Sequence, residues 1–217
     1  RQALKRSRTL ALLAASTVLI AVNWLVYIFA VVHGRMLEAS LGYYINPLVN
    51  VLLGVLVLHE RLQRLERVAV ALAAAGMLWL ALHLGQPPWI SLALAVSFGL
   101  YGLVRKVAPV GALTGLTVET LLLLPFALGT LAFKLGTERA VFLAGDTRLD
   151  VLLLLAGPLT AFPLLCFAGA ARRLPLSTLG FLQYLSPTLQ FLLAGLVYGE
   201  PFRRAQAGAF AFFWGAL

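Results

Sequence analysis

Cysteine, histidine and charge are scarce in this 217-residue chain: one Cys, three His and 12% charged residues. A soluble domain covers its surface with roughly 25% charged residues. With half that share, and with 61% hydrophobic residues, the chain cannot shield itself from water, and lipid is its expected solvent. The lone Cys166 excludes an intrachain disulfide and the usual Cys-rich zinc patterns. His33, His59 and His83 stand far apart and fit no HExxH pattern. No metal and no cofactor are therefore expected.

Seventeen Lys and Arg outnumber eight Asp and Glu. Such an excess can mark a nucleic-acid binder, but here the basic residues fall in short clusters between apolar runs. That is the distribution of loop charges that orient membrane helices, so no nucleic-acid partner is expected.

A spanning helix needs about 20 apolar residues. The runs are Leu10–Val32, Leu41–Leu58, Val68–Leu84, Trp89–Val104, Val110–Phe133, Val151–Ala171, Ser177–Tyr198 and Ala205–Leu217. They predict an all-α integral membrane protein of eight helices, the last cut short. None alternates polar with apolar as a barrel strand must. Eleven of the seventeen basic residues lie before the first run and after the second, fourth and sixth, namely Arg1, Lys5, Arg6, Arg8, Arg61, Arg64, Arg67, Arg105, Lys106, Arg172 and Arg173. That side is expected to be cytoplasmic. The chain opens RQALKRSRTL and closes on AFFWGAL; no signal peptide is read there, and both ends are expected to be cut.

An internal repeat organises the rest. ASLGYYINPLVNVLLGVLVLHE, ending at Glu60, matches STLGFLQYLSPTLQFLLAGLVYGE, ending at Glu200. Pro47 and Pro187 stand 140 residues apart, as do Glu60 and Glu200, and Asn50 falls on Gln190. Phe29-Ala30 matches Phe167-Ala168 at a spacing of 138. The matched helices are five spans apart, an odd number, so the second copy is inverted. Inverted repeats are a common architecture of secondary transporters, with the solute site near the midplane between the halves. The expected division is residues 1–84 and 85–217.

NWLVYIFAV, MLEASLGYYINPLVNVLLG, LYGLVRK, PLLCFAGAARRLPLSTLGF, QYLSPTLQFLLA and YGE resemble, in that order, the RarD branch of the EamA-type drug/metabolite transporters. The resemblance implies a ten-helix fold of two inverted five-helix halves. On that template the chain lacks the first two helices and most of the last, leaving three helices of the first EamA repeat and five of the second. The branch takes its name from a chloramphenicol-sensitivity phenotype. The resemblance implies export of a small organic solute across the bacterial cytoplasmic membrane.

Within that frame Glu119 is the sharpest candidate. It lies well inside its run, nine residues from Val110 and fourteen from Phe133, where a carboxylate costs roughly 2.5–3.5 kcal/mol on insertion scales. A carboxyl that takes up and releases a proton there suits proton coupling. The competing reading is a structural ion pair with Arg105 or Lys106. Pro47 and Pro187 remove helical hydrogen bonds to the carbonyls of Tyr43 and Gln183. Around them stand Asn46, Asn50, Gln183, Tyr184, Ser186 and Gln190, which can line a site for an uncharged solute or glue helices together. Asn23, Trp24, Tyr27, Ser97 and Tyr101 can add to the lining, while Trp24 and Tyr27 fit ordinary packing or an interfacial aromatic place equally well.

Glu60 and Glu200 end their helices, where negative charge opposes the helix dipole. They are either solvated loop charges or partners for Arg61 and Arg203 with a role in gating. Ala71 and Ala75, with Ala207, Ala211 and Gly215, have the small-xxx-small spacing of close helix contacts, between the halves or in a homodimer.

No GxxxxGK[ST] phosphate loop is present, so uphill movement must draw on an ion gradient, with protons the expected ion. No GxSxG elbow or paired catalytic carboxylates are present either. A lipid enzyme would need Asp, His or Lys clustered at one interface. Beside the transporter, a lipid enzyme and a non-transporting scaffold or assembly subunit stay as alternatives.

Overall fold

A computed structural model describes residues 7–84, 89–137, 142, 145–186 and 188–189. Among them the chain forms α1 (Ser7–Val32), α2 (Met36–Leu56), α3 (Arg64–Leu84), α4 (Trp89–Val107), α5 (Ala112–Gly136), α6 (Thr147–Arg173) and α7 (Leu176–Gln183), with no strand. Each helix coincides with one of the apolar runs. Most run a few residues past it, because helical hydrogen bonding continues into polar residues that hydropathy leaves out. α3 thus begins at Arg64 rather than Val68, and α6 at Thr147 rather than Val151. Pro187, Gln190, Glu200, Arg203, Ala207, Ala211, Gly215 and the expected eighth run lie outside the described residues.

Four helices, α1, α4, α5 and α6, are long and apolar enough to cross a membrane. At 25 residues, α5 extends about 37 Å, more than the roughly 30 Å hydrocarbon core. α2 has a shorter apolar stretch, Leu41–Leu56, and α3 carries Arg64, Glu66 and Arg67 in its first turn.

The chain divides into two compact units. One comprises Arg1–Val18 and Val104–Arg173. In it α5 packs on α6, and the core is Leu13, Ala108 and Val110 with Leu12 and Val118 against them. Leu121, Leu124, Phe126 and Phe133 of α5 and Leu152, Leu154, Leu159 and Phe162 of α6 are exposed. In water such a surface would drive association; on membrane helices it suits an apolar surrounding. The described buried residues of α5 are Gly115 and Glu119, so its polar interior is confined to one short stretch.

The other unit comprises Leu19–Leu103 and Leu174–Leu217. Here α2 packs along α7 and α3. Leu41, Ile45, Ala73, Ala95 and Tyr184 form one buried cluster, and Ala30, Ala39, Ile90 and Leu94 another. α2 runs through Pro47 without ending. Close approach depends on missing side chains: a Cβ at Gly180 would lie 2.7 Å from the Pro47 carbonyl oxygen. Any larger residue there separates α7 from α2.

Candidate functional site

Two polar clusters hold most of the candidate residues, one in each unit. The first centres on Glu119, 2% exposed and seven residues past the start of α5. That places it about 10 Å along the helix from its N-terminus, nearer one end than the apolar run implied. The Ser16 hydroxyl of α1 lies 2.6 Å from Glu119 Oε1 and 2.9 Å from the Leu13 carbonyl. Arg105 Nη1, at the end of α4, lies 3.6 Å from the same carboxylate oxygen.

Arg105 is fully buried. Its Nη2 donates to the carbonyls of Gly111 and Ala112 at 3.4 and 3.0 Å, while Nε and Nη1 have no hydrogen-bond partner. A buried donor left unmet costs about 1–3 kcal/mol, so the cation is held by charge more than by hydrogen bonds. Gly115 makes room for it, since a Cβ there would fall on the guanidinium. Neighbouring Lys106 donates to the Ala171 carbonyl at 3.3 Å, in the last turn of α6, where a cation favours the helix dipole. Both basic residues at the end of α4 are thus engaged, and Arg105 meets Glu119.

The second cluster is built on α2. Tyr43, Asn46 and Asn50 recur at a spacing of three and four and share one face of the helix, beside Pro47, which offers no N–H to the Tyr43 carbonyl. Asn46 Nδ2 and Asn50 Nδ2 both donate to Gln183 Oε1, at 3.3 and 2.5 Å. Gln183 is the last residue of α7. Asn46 Oδ1 and Asn50 Oδ1 are buried without a partner, so the cluster retains open acceptors. Tyr43 is exposed at 44%, and its ring stands edge-on to Tyr27 of α1 at 6.3 Å. Tyr27 in turn meets Trp24 edge-on at 6.2 Å. Tyr184 is buried beside the cluster, its hydroxyl donating to the Tyr44 carbonyl at 3.4 Å.

Three lining candidates, Asn23, Ser97 and Tyr101, sit elsewhere. Asn23 Nδ2 donates to the Leu94 carbonyl and to Ser97 Oγ, both at 2.9 Å, which fastens α1 to α4. Tyr101 is fully buried, with its ring 5.9 Å from Phe98.

Glu60 differs most from its sequence reading as a solvated loop charge. Its carboxylate accepts the Leu176 and Ser177 backbone N–H groups at 2.7 and 2.9 Å, and the Ser177 hydroxyl at 2.8 Å. It opposes no dipole, because it sits at the N-terminus of another helix, where negative charge is favoured. The turn that delivers it closes through Glu60 N donating to the Gly54 carbonyl at 2.9 Å. It requires His59 at φ +56, a left-handed conformation that costs a non-glycine residue about 1 kcal/mol. Ser16 and this clasp are the features that sequence reasoning missed. The only available hints were a hydroxyl in mid-helix and a carboxylate closing a helix with a proline-capped helix elsewhere.

Residues 1–82 match the EamA-like transporter family. The chain is 55% identical over 205 residues to an uncharacterized transporter of Pseudomonas aeruginosa, covering 94% of this chain and 69% of that one. It is 50% identical over 216 residues to an uncharacterized transporter of Bacillus subtilis, covering 100% and 72%. To Protein RarD of Escherichia coli it is 50% identical over 206 residues, covering 95% and 70%. The chain belongs to the RarD branch of the EamA-type drug/metabolite transporters. It is a multi-pass membrane transporter, with lipid as its solvent and a small molecule as its cargo, and not an enzyme.

Proposed function

We propose that the protein exports a small, uncharged organic solute across the bacterial cytoplasmic membrane, using two inverted halves that rock about a site on α2 and α7. The halves are residues 1–84 and 85–217 of the ten-helix family plan. The observation that carries this reading is the convergence of Asn46 and Asn50, from one copy of the repeat, with Gln183, from the other. These amides meet beside a helix-interior proline, which offers no N–H to the Tyr43 carbonyl. Unfilled acceptors on Asn46 and Asn50 and the exposed Tyr43 ring suit a neutral solute with polar and flat apolar parts.

Protons drive the export, with Glu119 as the carrier. Ser16 supports this role because its single hydroxyl proton has two acceptors within reach, Leu13 O and Glu119. With Glu119 ionised, the hydroxyl donates to the carboxylate. With Glu119 protonated, the carboxyl donates to Ser16 Oγ and Ser16 donates to Leu13. Ser16 therefore keeps a hydrogen bond to the carboxyl in either protonation state. Arg105 supports it too: at 3.6 Å, with Nη1 not hydrogen-bonded, the pair is loose enough to open when the carboxylate is neutralised. The same pair favours a purely structural tie between α4 and α5 as the second reading.

The test is solute export from cells loaded at set external pH, with the proton gradient intact or collapsed. Export that follows the gradient, and loses that dependence in Glu119→Gln, is expected. Gradient-driven export by Glu119→Gln at the unsubstituted rate would leave the structural tie as the role of this residue.

A further inference from the structure

We infer that Glu60 is a positioning residue for the solute site, fixing α7 on α2 and thereby holding Gln183 against Asn46 and Asn50. The inference rests on the reading of those three amides as the solute site.

α7 is eight residues long and begins after Pro175. Proline at the cap position has no side-chain oxygen to accept the first amides, so the helix has no cap of its own. Glu60 supplies one from 116 residues away in sequence, through three hydrogen bonds. The same chain segment ties α2 down: Glu60 N donates to Gly54 O, and a Cβ at Gly54 would lie 2.6 Å from Glu60 Oε2. The carboxylate is therefore laid flat against α2 while it grips α7. Glycine at position 54 is what lets it lie there.

Three fastenings follow in order along α7. Leu176 and Ser177 bind Glu60, Gly180 rests on Pro47 O and Asn50 Cβ, and Gln183 accepts from Asn46 and Asn50. Ser177 and Gln183 are six residues apart, about 9 Å along the helix. A helix this short transmits a displacement at one end directly to the other. Loss of the clasp therefore shifts Gln183 from the far end of α7.

A cap and a tether can be separated. Aspartate at 175 would cap α7 locally, accepting N–H groups of its first turn, without linking it to α2. The complete transporter is compared as unsubstituted protein, Glu60→Gln, Pro175→Asp and the double variant, all in lipid nanodiscs. Backbone amide exchange is read residue by residue along α7. Expected is at least tenfold faster exchange in Glu60→Gln at both Ser177 and Gln183. In the double variant slow exchange returns at Ser177 only. Faster exchange confined to the first turn, no change, or full restoration by Pro175→Asp would overturn the proposal, reducing Glu60 to a cap or less.

In cells, the same four proteins are compared for release of metabolites to the medium. At least a fivefold lower release rate is expected for Glu60→Gln and for the double variant, with protein levels unchanged. Restored release in the double variant would contradict positioning. If the unsubstituted protein releases nothing, the solute-site reading fails, and the exchange data still decide whether Glu60 positions α7.

Discussion

Arg105 and Glu119 face each other at 3.6 Å with neither reaching solvent. One ends α4 and the other lies early in α5, so the loop between the helices is closed from inside by opposite charges. Taking one partner away leaves the other buried and uncompensated, which costs about 3–5 kcal/mol, whereas replacing both with apolar residues is often neutral.

Glu119→Gln and Arg105→Met are each expected to lower the thermal midpoint of the purified transporter markedly. The double variant Arg105→Met with Glu119→Leu recovers most of that loss but does not couple export to protons. Thermal unfolding in detergent and gradient-driven flux check the two halves of this expectation. A double variant that folds and still couples would show that the pair only ties helices.

Gly115→Ala should resemble loss of the pair. The new Cβ falls on the guanidinium, and overpacking of this kind costs about 1–3 kcal/mol. Combined with Arg105→Met, which vacates that volume, Gly115→Ala should cost less than it does alone. Thermal midpoints of the four proteins in the cycle measure the coupling.

Gly180→Ala is expected to weaken the solute site without touching its amides. The added methyl meets the Pro47 carbonyl at 2.7 Å, and moving α7 away lengthens the Gln183 contacts. A loss of about 1–3 kcal/mol in stability should accompany a higher KM for export. Unchanged KM alongside lowered stability would separate the α2–α7 contact from solute binding.

The apolar runs were legible because lipid demands about 20 apolar residues per span, and seven of the eight reappear as helices or parts of helices. The grouping of Asn46, Asn50 and Gln183 was legible because the repeat marks equivalent positions around its two prolines. Partners across the fold were not. Ser16 meets Glu119 from 103 residues away and Glu60 meets Ser177 from 117, and helical periodicity gives a residue's face, not its neighbour. Asn23 likewise finds its partners, the Leu94 carbonyl and Ser97, more than seventy residues away in sequence. Glu60 is illegible for the same reason: sequence relates its charge to its own helix, while the dipole it serves belongs to α7.

The most direct measurement compares metabolites in the medium of cells expressing the complete transporter, its Gln183→Leu variant or empty vector. One small neutral solute should accumulate outside with the transporter alone, and Gln183→Leu should lower its release at least fivefold at equal protein level. Equal release of every metabolite from transporter and vector cells would contradict solute export. Full release by Gln183→Leu would contradict the amide cluster as its site.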